Sequence, residues 1–180
     1  MAQKIKLFFA TDLHGSEQCF RKFLNAGAAY GPDVMVLGGD VAGKAVQAVV
    51  RVGDGRYRFT FRGREHDLPD GDELRHVERL ISDNGYYPWR SAPGELDARV
   101  ADGTVNALLL ELMRERLEAW MALADERLRP QDLPAFWMLG NDDPPELEPL
   151  LESAPWGTHA DDRVCDLGDG HALVSLGYAN

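Results

Sequence analysis

Three short clusters of polar side chains each follow an apolar run, and this pattern constrains the fold more than any other feature. The clusters are Asp12-Leu13-His14, Gly39-Asp40 and Gly140-Asn141-Asp142, and they follow the apolar residues 5–10, 34–37 and 136–139. Each run has the length and composition of a buried strand. In an open α/β sheet, ligands bind outside the carboxyl ends of the strands. The three clusters are therefore expected to converge in space.

The side chains in these clusters are of types that bind divalent metal ions. Carboxylate, imidazole and amide oxygen suit Mn, Fe or Zn, whereas thiolates select softer metals. Each cluster alone is weak evidence, because Gly-Asp and Gly-Asn are also ordinary turn pairs. The ordered trio, with a strand before each member, indicates a metal-dependent hydrolase.

Hydrophobic periodicity predicts a mixed α/β chain. Strands over residues 4–10 and 33–37 flank a helix capped by Ser16 and stopped by Gly31-Pro32, so these two strands should be parallel. Cys19 falls on the apolar stripe of this helix and is expected to be buried. The other predicted elements are a hairpin over 46–61, a short strand at 64–68, helices at 74–81 and 104–128, a loop at 86–93, a strand at 133–139, a short helix ending near 151, and a strand pair at 164–167 and 172–176.

Composition narrows the range of partners. The net charge of −11 should repel nucleic acid and anionic membranes unless charge is segregated locally. Neither a signal peptide nor an apolar run of membrane-spanning length is recognisable, so we expect a cytoplasmic protein without a membrane partner. A local stripe of arginines fits a solvated hairpin face better than a surface for anions or partners; its members are Arg51, Arg56, Arg58, Arg62 and Arg64.

Asp-x-His, Gly-Asp and Gly-Asn in this order, each after a strand, resemble the motifs of the calcineurin-like metallophosphoesterase superfamily. The resemblance spans residues 4–142. It implies a single domain over residues 1–180, with a β-sandwich core flanked by helices. Residues 45–130 then form an inserted cap of a hairpin and helices, and the domain is expected to be incomplete at its C-terminus.

The resemblance also implies hydrolysis of a phosphate ester at two divalent ions of Mn, Fe or Zn. Asp12 and His14 would hold the first ion, Asp40 would bridge the two, and Asn141 would hold the second. The substrate would be a small phosphorylated molecule or a phosphodiester.

The sequence departs from the family pattern at two places. Where the family commonly has His after Gly-Asn, this chain has Asp142 and Asp143; Asp142 is the candidate catalytic residue, and a solvated or helix-entry carboxylate is the alternative for both. The later histidine motifs of the family are also missing. The remaining histidines are expected outside the site: His66 and His76 in the insertion, His159 in a polar loop and His171 in a hairpin turn.

These departures leave two functions open. In one, further sequence or another chain supplies the missing ligands, and the 180-residue chain alone is a poor phosphoesterase that can associate, for example as a homo-oligomer, through an open sheet edge. In the other, the protein is a non-catalytic scaffold or subunit that keeps the phosphoesterase fold without a complete metal site.

Overall fold

The computed structural model describes residues 4–177, and the chain divides into two compact units. The first unit comprises the described parts of 1–14, 19–42 and 114–180, and the second comprises 15–18 and 43–113. The elements in chain order are β1 (Leu7–Ala10), α1 (Glu17–Tyr30), β2 (Val34–Gly38), β3 (Ala45–Gly53), β4 (Arg56–Phe61), β5 (Arg64–Pro69), α2 (Asp72–Asp83), β6 (Tyr86–Ser91), α3 (Glu95–Asp102), α4 (Val105–Leu128), β7 (Ala135–Met138), α5 (Glu148–Glu152), β8 (Thr158–His159), β9 (Val164–Gly168) and β10 (His171–Val174), with 3₁₀ turns at Arg129–Gln131 and Pro145–Leu147. The protein is therefore a mixed α/β protein, as the sequence predicts.

The first unit is built on a four-stranded parallel sheet in the order β1-β2-β7-β8. In the register, Ala10 lies beside Leu37 and Gly38 beside Met138. The carboxyl ends of β1, β2 and β7 consequently lie at one edge of the sheet. The expected parallel pairing of the first two strands is confirmed.

The two faces of this sheet are covered differently. On one face, side chains of the antiparallel β9–β10 hairpin pack on the strands. The resulting hydrophobic cluster has a buried part and a partly buried rim: Val34, Val36, Phe136, Met138 and Ala160, then Ile5, Cys165, Leu167 and Leu173. On the other face, Phe23 of α1 meets Trp137 edge-on at 6.2 Å between ring centroids. Alternation along β2 and β7 produces these two apolar faces, because successive side chains of a strand point to opposite sides.

The buried face of α1 differs from the sequence expectation for its cysteine. The buried residues are Phe20, Phe23, Leu24, Ala26 and Gly27, and Phe20 stacks on Trp120 at 4.3 Å. Cys19 is exposed, so the prediction of a buried thiol is wrong. The helix turns its Phe20–Leu24–Gly27 side to the core, and Cys19 lies about 100° around the axis from Phe20.

The second unit has a sheet in the order β5-β4-β3-β6. The predicted hairpin is present as β3–β4, and the predicted short strand is β5. One face of the sheet packs on α2 through Val49, Tyr57, Phe59, Phe61, Leu74, Val77 and Ile81. Alternation is strict along β4, where Tyr57, Phe59 and Phe61 are buried and the residues between them are exposed.

Residues 86–93 were expected to be a loop, and this expectation is wrong for the first six. Tyr86–Ser91 forms β6, which runs parallel to β3. Aromatic residues favour strands, and proline is tolerated in an outer strand, which is the position of β6. The Tyr87 hydroxyl accepts a hydrogen bond from the N–H of Gly43 at 2.8 Å.

Three arginines of the stripe make local polar contacts. Arg56 and Arg58 both bind the carboxylate of Asp67, at 2.7 and 2.9 Å, and Arg62 donates to Asn84. The solvated-face interpretation accounts for these contacts.

Several large apolar side chains of the first unit are exposed: Leu7, Phe9, Tyr30, Val164, Val174 and Leu176. Leu7 and Phe9 belong to β1, an outer strand of the described sheet. Association through an open edge stays a prediction. Within residues 4–177, no helix is both long and apolar enough to cross a membrane.

Candidate metal centre

The loops that follow β1 and β2 bring Asp12, His14 and Asp40 together. Each residue offers one ligand atom, and the three atoms lie within 4.8 Å of one another. Nε2 of His14 is 3.6 Å from Oδ1 of Asp12. Asp12 is exposed, whereas His14 and Asp40 are partly buried, so the group opens toward solvent on its Asp12 side.

Backbone hydrogen bonds hold these two loops side by side. The N–H of Asp12 donates to the carbonyl of Gly39 at 3.1 Å, and the N–H of His14 donates to the carbonyl of Asp40 at 2.9 Å. The bonds continue the β1–β2 pairing past the ends of the strands. Convergence of these side chains is thus built into the backbone.

All three residues adopt left-handed backbone conformations. The φ angles are 58° for Asp12, 45° for His14 and 49° for Asp40. This region is sparsely populated by residues other than glycine, although Asp and His enter it more readily than most. Such conformations cluster at functional sites, where the surrounding structure enforces them.

The loop after β7 lies against Asp40. Oδ1 of Asp40 accepts a hydrogen bond from the N–H of Asp142 at 3.2 Å. A Cβ on Gly140 would overlap both the carboxylate and the backbone nitrogen of Asp40, so only glycine fits there. The third cluster of the sequence pattern therefore adjoins the second, as the strand-end rule predicts.

The side chains of Asn141 and Asp142 are both exposed. Nδ2 of Asn141 is 3.3 Å from Oδ1 of Asp142. The structure places both residues in the loop beside Asp40, where the Asp142 N–H contacts the Asp40 side chain.

Asp143 was expected to be a solvated or helix-entry carboxylate, and this expectation is wrong. The residue is 4% exposed. Its carboxylate accepts three backbone N–H bonds, from Val41 at 2.9 Å, Ala42 at 2.8 Å and Gly140 at 2.9 Å. Burial raises the pKa of Asp143 above its ordinary value, and the three donors only partly offset this effect. Asp143 thus ties the loop after β2 to the loop after β7.

Asp161 plays a comparable part at the end of β7. It is 8% exposed, and its Oδ2 accepts the N–H of Leu139 at 2.9 Å. The same oxygen is 3.0 Å from Nε2 of His159. His159 is 3% exposed and belongs to β8, so its expected place in a polar loop is wrong. The sequence patterns gave Asp143 a solvent-facing role and did not single out Asp161. The available signal was an Asp soon after a strand in each case.

The other histidines lie on elements of their own, outside the group that contains Asp12. His66 stacks on Phe59 at 5.0 Å, and burial lowers its pKa. His76 lies on α2, and His171 opens β10 as expected. Within the described residues, the metal-ligand group that contains Asp12 takes no histidine other than His14.

The residues present fit a divalent cation. Two carboxylates and one imidazole converge, and carboxylate and imidazole are ligands of Mn, Fe and Zn. Nε2 is the ring nitrogen of His14 that lies 3.6 Å from Asp12, and Nδ1 is buried without a hydrogen-bond partner among residues 4–177. Comparison of the chain with protein families, curated proteins and solved structures finds no match.

Proposed function

We propose that the protein is a metal-dependent hydrolase of phosphate esters that resembles the calcineurin-like phosphoesterases. The observation that carries the proposal is the meeting of Asp12, His14 and Asp40 within 4.8 Å at the ends of adjacent parallel strands. Divalent ions bound there would activate water as a nucleophile and neutralise phosphoryl oxygens.

Asp40 is the central residue of the proposed centre. It lies between the loop that carries Asp12 and His14 and the loop that carries Asn141. One of its oxygens is oriented by the N–H of Asp142, which leaves the carboxylate fixed while lone pairs on both oxygens stay available for cations. A bridging position needs this combination of full negative charge and fixed orientation.

Asp12 and His14 complete the ligand set on one side of Asp40. Asn141 stays the proposed neutral ligand on the other side, since its loop adjoins Asp40. The exposed Asp142 carboxylate is the proposed catalytic group for proton transfer to the leaving oxygen.

The alternative function is a non-catalytic scaffold or subunit with the same fold. The observation that favours it is the small ligand set: among residues 4–177, the strand-end group of His, Cys, Asp and Glu has three members. Two ions held by so few side chains would retain many water ligands. Poor positioning is costly, since a displacement of about 1 Å can lose on the order of a hundredfold in rate.

The deciding experiment is a calorimetric Mn²⁺ titration of the wild-type chain, Asp40→Asn and Asp142→Asn. We expect Asp40→Asn to weaken binding at least about tenfold, more than the neighbouring Asp142→Asn, because outer residues typically contribute less than ligands. Equal losses, or a larger loss for Asp142→Asn, would contradict the roles assigned to the two residues.

Hydrolysis of a chromogenic phosphodiester with Mn²⁺ then separates the two functions. Turnover that depends on metal and disappears in Asp40→Asn supports the hydrolase. Weak Mn²⁺ binding that Asp40→Asn does not change, without turnover of either monoester or diester probes, supports the scaffold.

A further inference from the structure

A second group of metal-ligand side chains lies in the first unit and involves His159. The imidazole belongs to β8, and its side chain is 1% exposed. Nε2 lies 3.0 Å from Oδ2 of Asp161. Nδ1 is buried and has no hydrogen-bond partner among residues 4–177. One ring nitrogen is therefore fixed by a carboxylate, while the other is left without a partner.

The partner on Nε2 indicates where the ring proton lies. Oδ2 of Asp161 also accepts the backbone N–H of Leu139, so this oxygen is an acceptor in both contacts. An acceptor at 3.0 Å requires a proton on Nε2. In the neutral ring, Nδ1 then carries a bare lone pair.

Two carboxylates face this bare nitrogen. Oε1 of Glu148 is 4.0 Å from Nδ1, and Oε1 of Glu152 is 3.9 Å from it. The two glutamates lie four residues apart on α5 and therefore share one face of that helix. The three ligand atoms lie within 4.8 Å of one another. The lone pair of Nδ1 and two carboxylate oxygens thus converge, and no ring proton lies between them.

We propose that Glu148, Glu152 and His159 bind one divalent transition-metal ion of the Zn²⁺ type. Zinc lies about 2.0–2.2 Å from nitrogen and oxygen ligands, so ligand atoms around a tetrahedral ion are separated by about 3.4 Å. The observed separations of 3.9 and 4.0 Å between Nδ1 and the two glutamate oxygens require each glutamate to move by about half an ångström. Both glutamate side chains are nearly half exposed, at 45% and 49%, and can make such shifts.

Asp161 supplies the supporting contact that such a site needs. Metal-bound histidines usually donate their second ring N–H to a carboxylate, which fixes the tautomer and the ring orientation. The Asp161–His159 contact has this form. An ion at the site would join α5 to β8, apart from the centre built on Asp12 and Asp40.

The rival explanation is a protonated His159 held among acidic side chains. A charged imidazolium would draw a carboxylate to about 2.7–2.9 Å from Nδ1, whereas the nearest oxygen is 3.9 Å away. The basic side chain of Arg163 pairs with this group, and its Nη2 binds Oε1 of Glu152 at 2.8 Å. Arg163 is half exposed, and a metal ion would compete with it for Glu152.

The test is a Zn²⁺ titration of the chelator-treated full chain, followed by calorimetry and by ¹⁵N NMR of the histidine rings. We expect the double variant Glu148→Gln, Glu152→Gln to lose one tightly bound equivalent. Its Zn²⁺ affinity should fall by more than about a hundredfold, beyond the 10- to 100-fold typical of outer residues. Glu146→Gln is the matched control, because Glu146 is exposed and outside the group. In the wild type, the Nδ1 signal of His159 should shift with Zn²⁺ while Nε2 keeps its proton.

Two results would overturn the proposal. One is unchanged Zn²⁺ stoichiometry and affinity in the double variant. The other is a His159 ring that carries protons on both nitrogens and does not respond to Zn²⁺. Arg163→Gln supplies a variant that keeps every ligand, and it should bind Zn²⁺ more tightly; weaker binding would also count against the site. The same equivalent should persist in Asp40→Asn, so the result is independent of the strand-end centre.

Discussion

Replacement of Asp143 probes the contacts that join two loops of the candidate metal centre. The side chain is 4% exposed, and its carboxylate accepts N–H groups of Val41, Ala42 and Gly140 at 2.8–2.9 Å. Asp143→Ala leaves these three donors without their acceptor. Each buried unsatisfied donor costs about 1–3 kcal/mol. Water that enters the vacated space recovers part of the sum, so we expect a loss of about 3–5 kcal/mol in the free energy of unfolding.

Asp143→Asn should lower the free energy of unfolding by less than Asp143→Ala does, by about 1–3 kcal/mol. The amide keeps one acceptor oxygen, which can serve the two N–H groups that Oδ2 receives from Val41 and Gly140. Its NH₂ group would then face the N–H of Ala42, which is a donor. The expected order of stability is wild type, then Asn, then Ala.

Urea unfolding at pH 7 measures these differences, with Asp142→Ala as the matched control. Asp142 is exposed, and its replacement should change stability by no more than about 0.5 kcal/mol. Amide hydrogen exchange gives a local measure: the N–H groups of Val41, Ala42 and Gly140 should exchange faster in Asp143→Ala. A loss under about 1 kcal/mol with unchanged exchange would refute the reasoning.

The pH dependence tests the direction of the pKa shift. Burial raises the pKa of Asp143 in the folded chain, so the folded state binds more protons than the unfolded state above about pH 3.9. The contribution of this group to stability therefore falls as pH rises through that window and grows as pH is lowered. The difference in free energy of unfolding between wild type and the non-titrating Asp143→Asn should widen from pH 7 toward pH 4. A gap that narrows would show that the N–H donors outweigh burial.

Two further changes test other parts of the structure. Gly140→Ala should lower the free energy of unfolding by about 1–3 kcal/mol and weaken Mn²⁺ binding, because the new Cβ displaces Asp40. Gly71→Ala is the control, since open space surrounds the added atom, and it should change neither quantity. Equal unfolding and calorimetric results for the two variants would contradict the packing argument. Hydrogen bonding to Arg58 lowers the pKa of Asp67, so Asp67 contributes stability above about pH 3.9 that is lost as pH falls through its folded pKa. Urea unfolding of Asp67→Asn should differ from wild type at pH 7 and converge with it in acid, and a constant difference would rule out this ion pair as the cause.

Local patterns predicted most of the secondary structure. The β3–β4 hairpin follows from the apolar residues on both sides of Gly53-Asp54-Gly55 and from the strict alternation of β4. Helix α4 follows from its apolar periodicity and from Pro130 beyond its end. These signals lie within a few residues of one another, so they can be read without knowledge of the tertiary fold. The strand β6 was missed because Pro88 argues against a strand unless that strand is an outer one, and strand order is a property of the whole sheet.

The sequence determined the positions of Asp12, His14 and Asp40 in the fold, because side chains that follow parallel strands must meet at the same edge of the sheet. Tertiary structure alone decided which polar groups are buried. Asp143 and Asp161 look like ordinary loop carboxylates in the sequence, and Cys19 looks like part of an apolar stripe. Burial depends on what packs over a residue from distant parts of the chain, so Asp143 becomes an acceptor for N–H groups about a hundred residues away while Cys19 stays exposed.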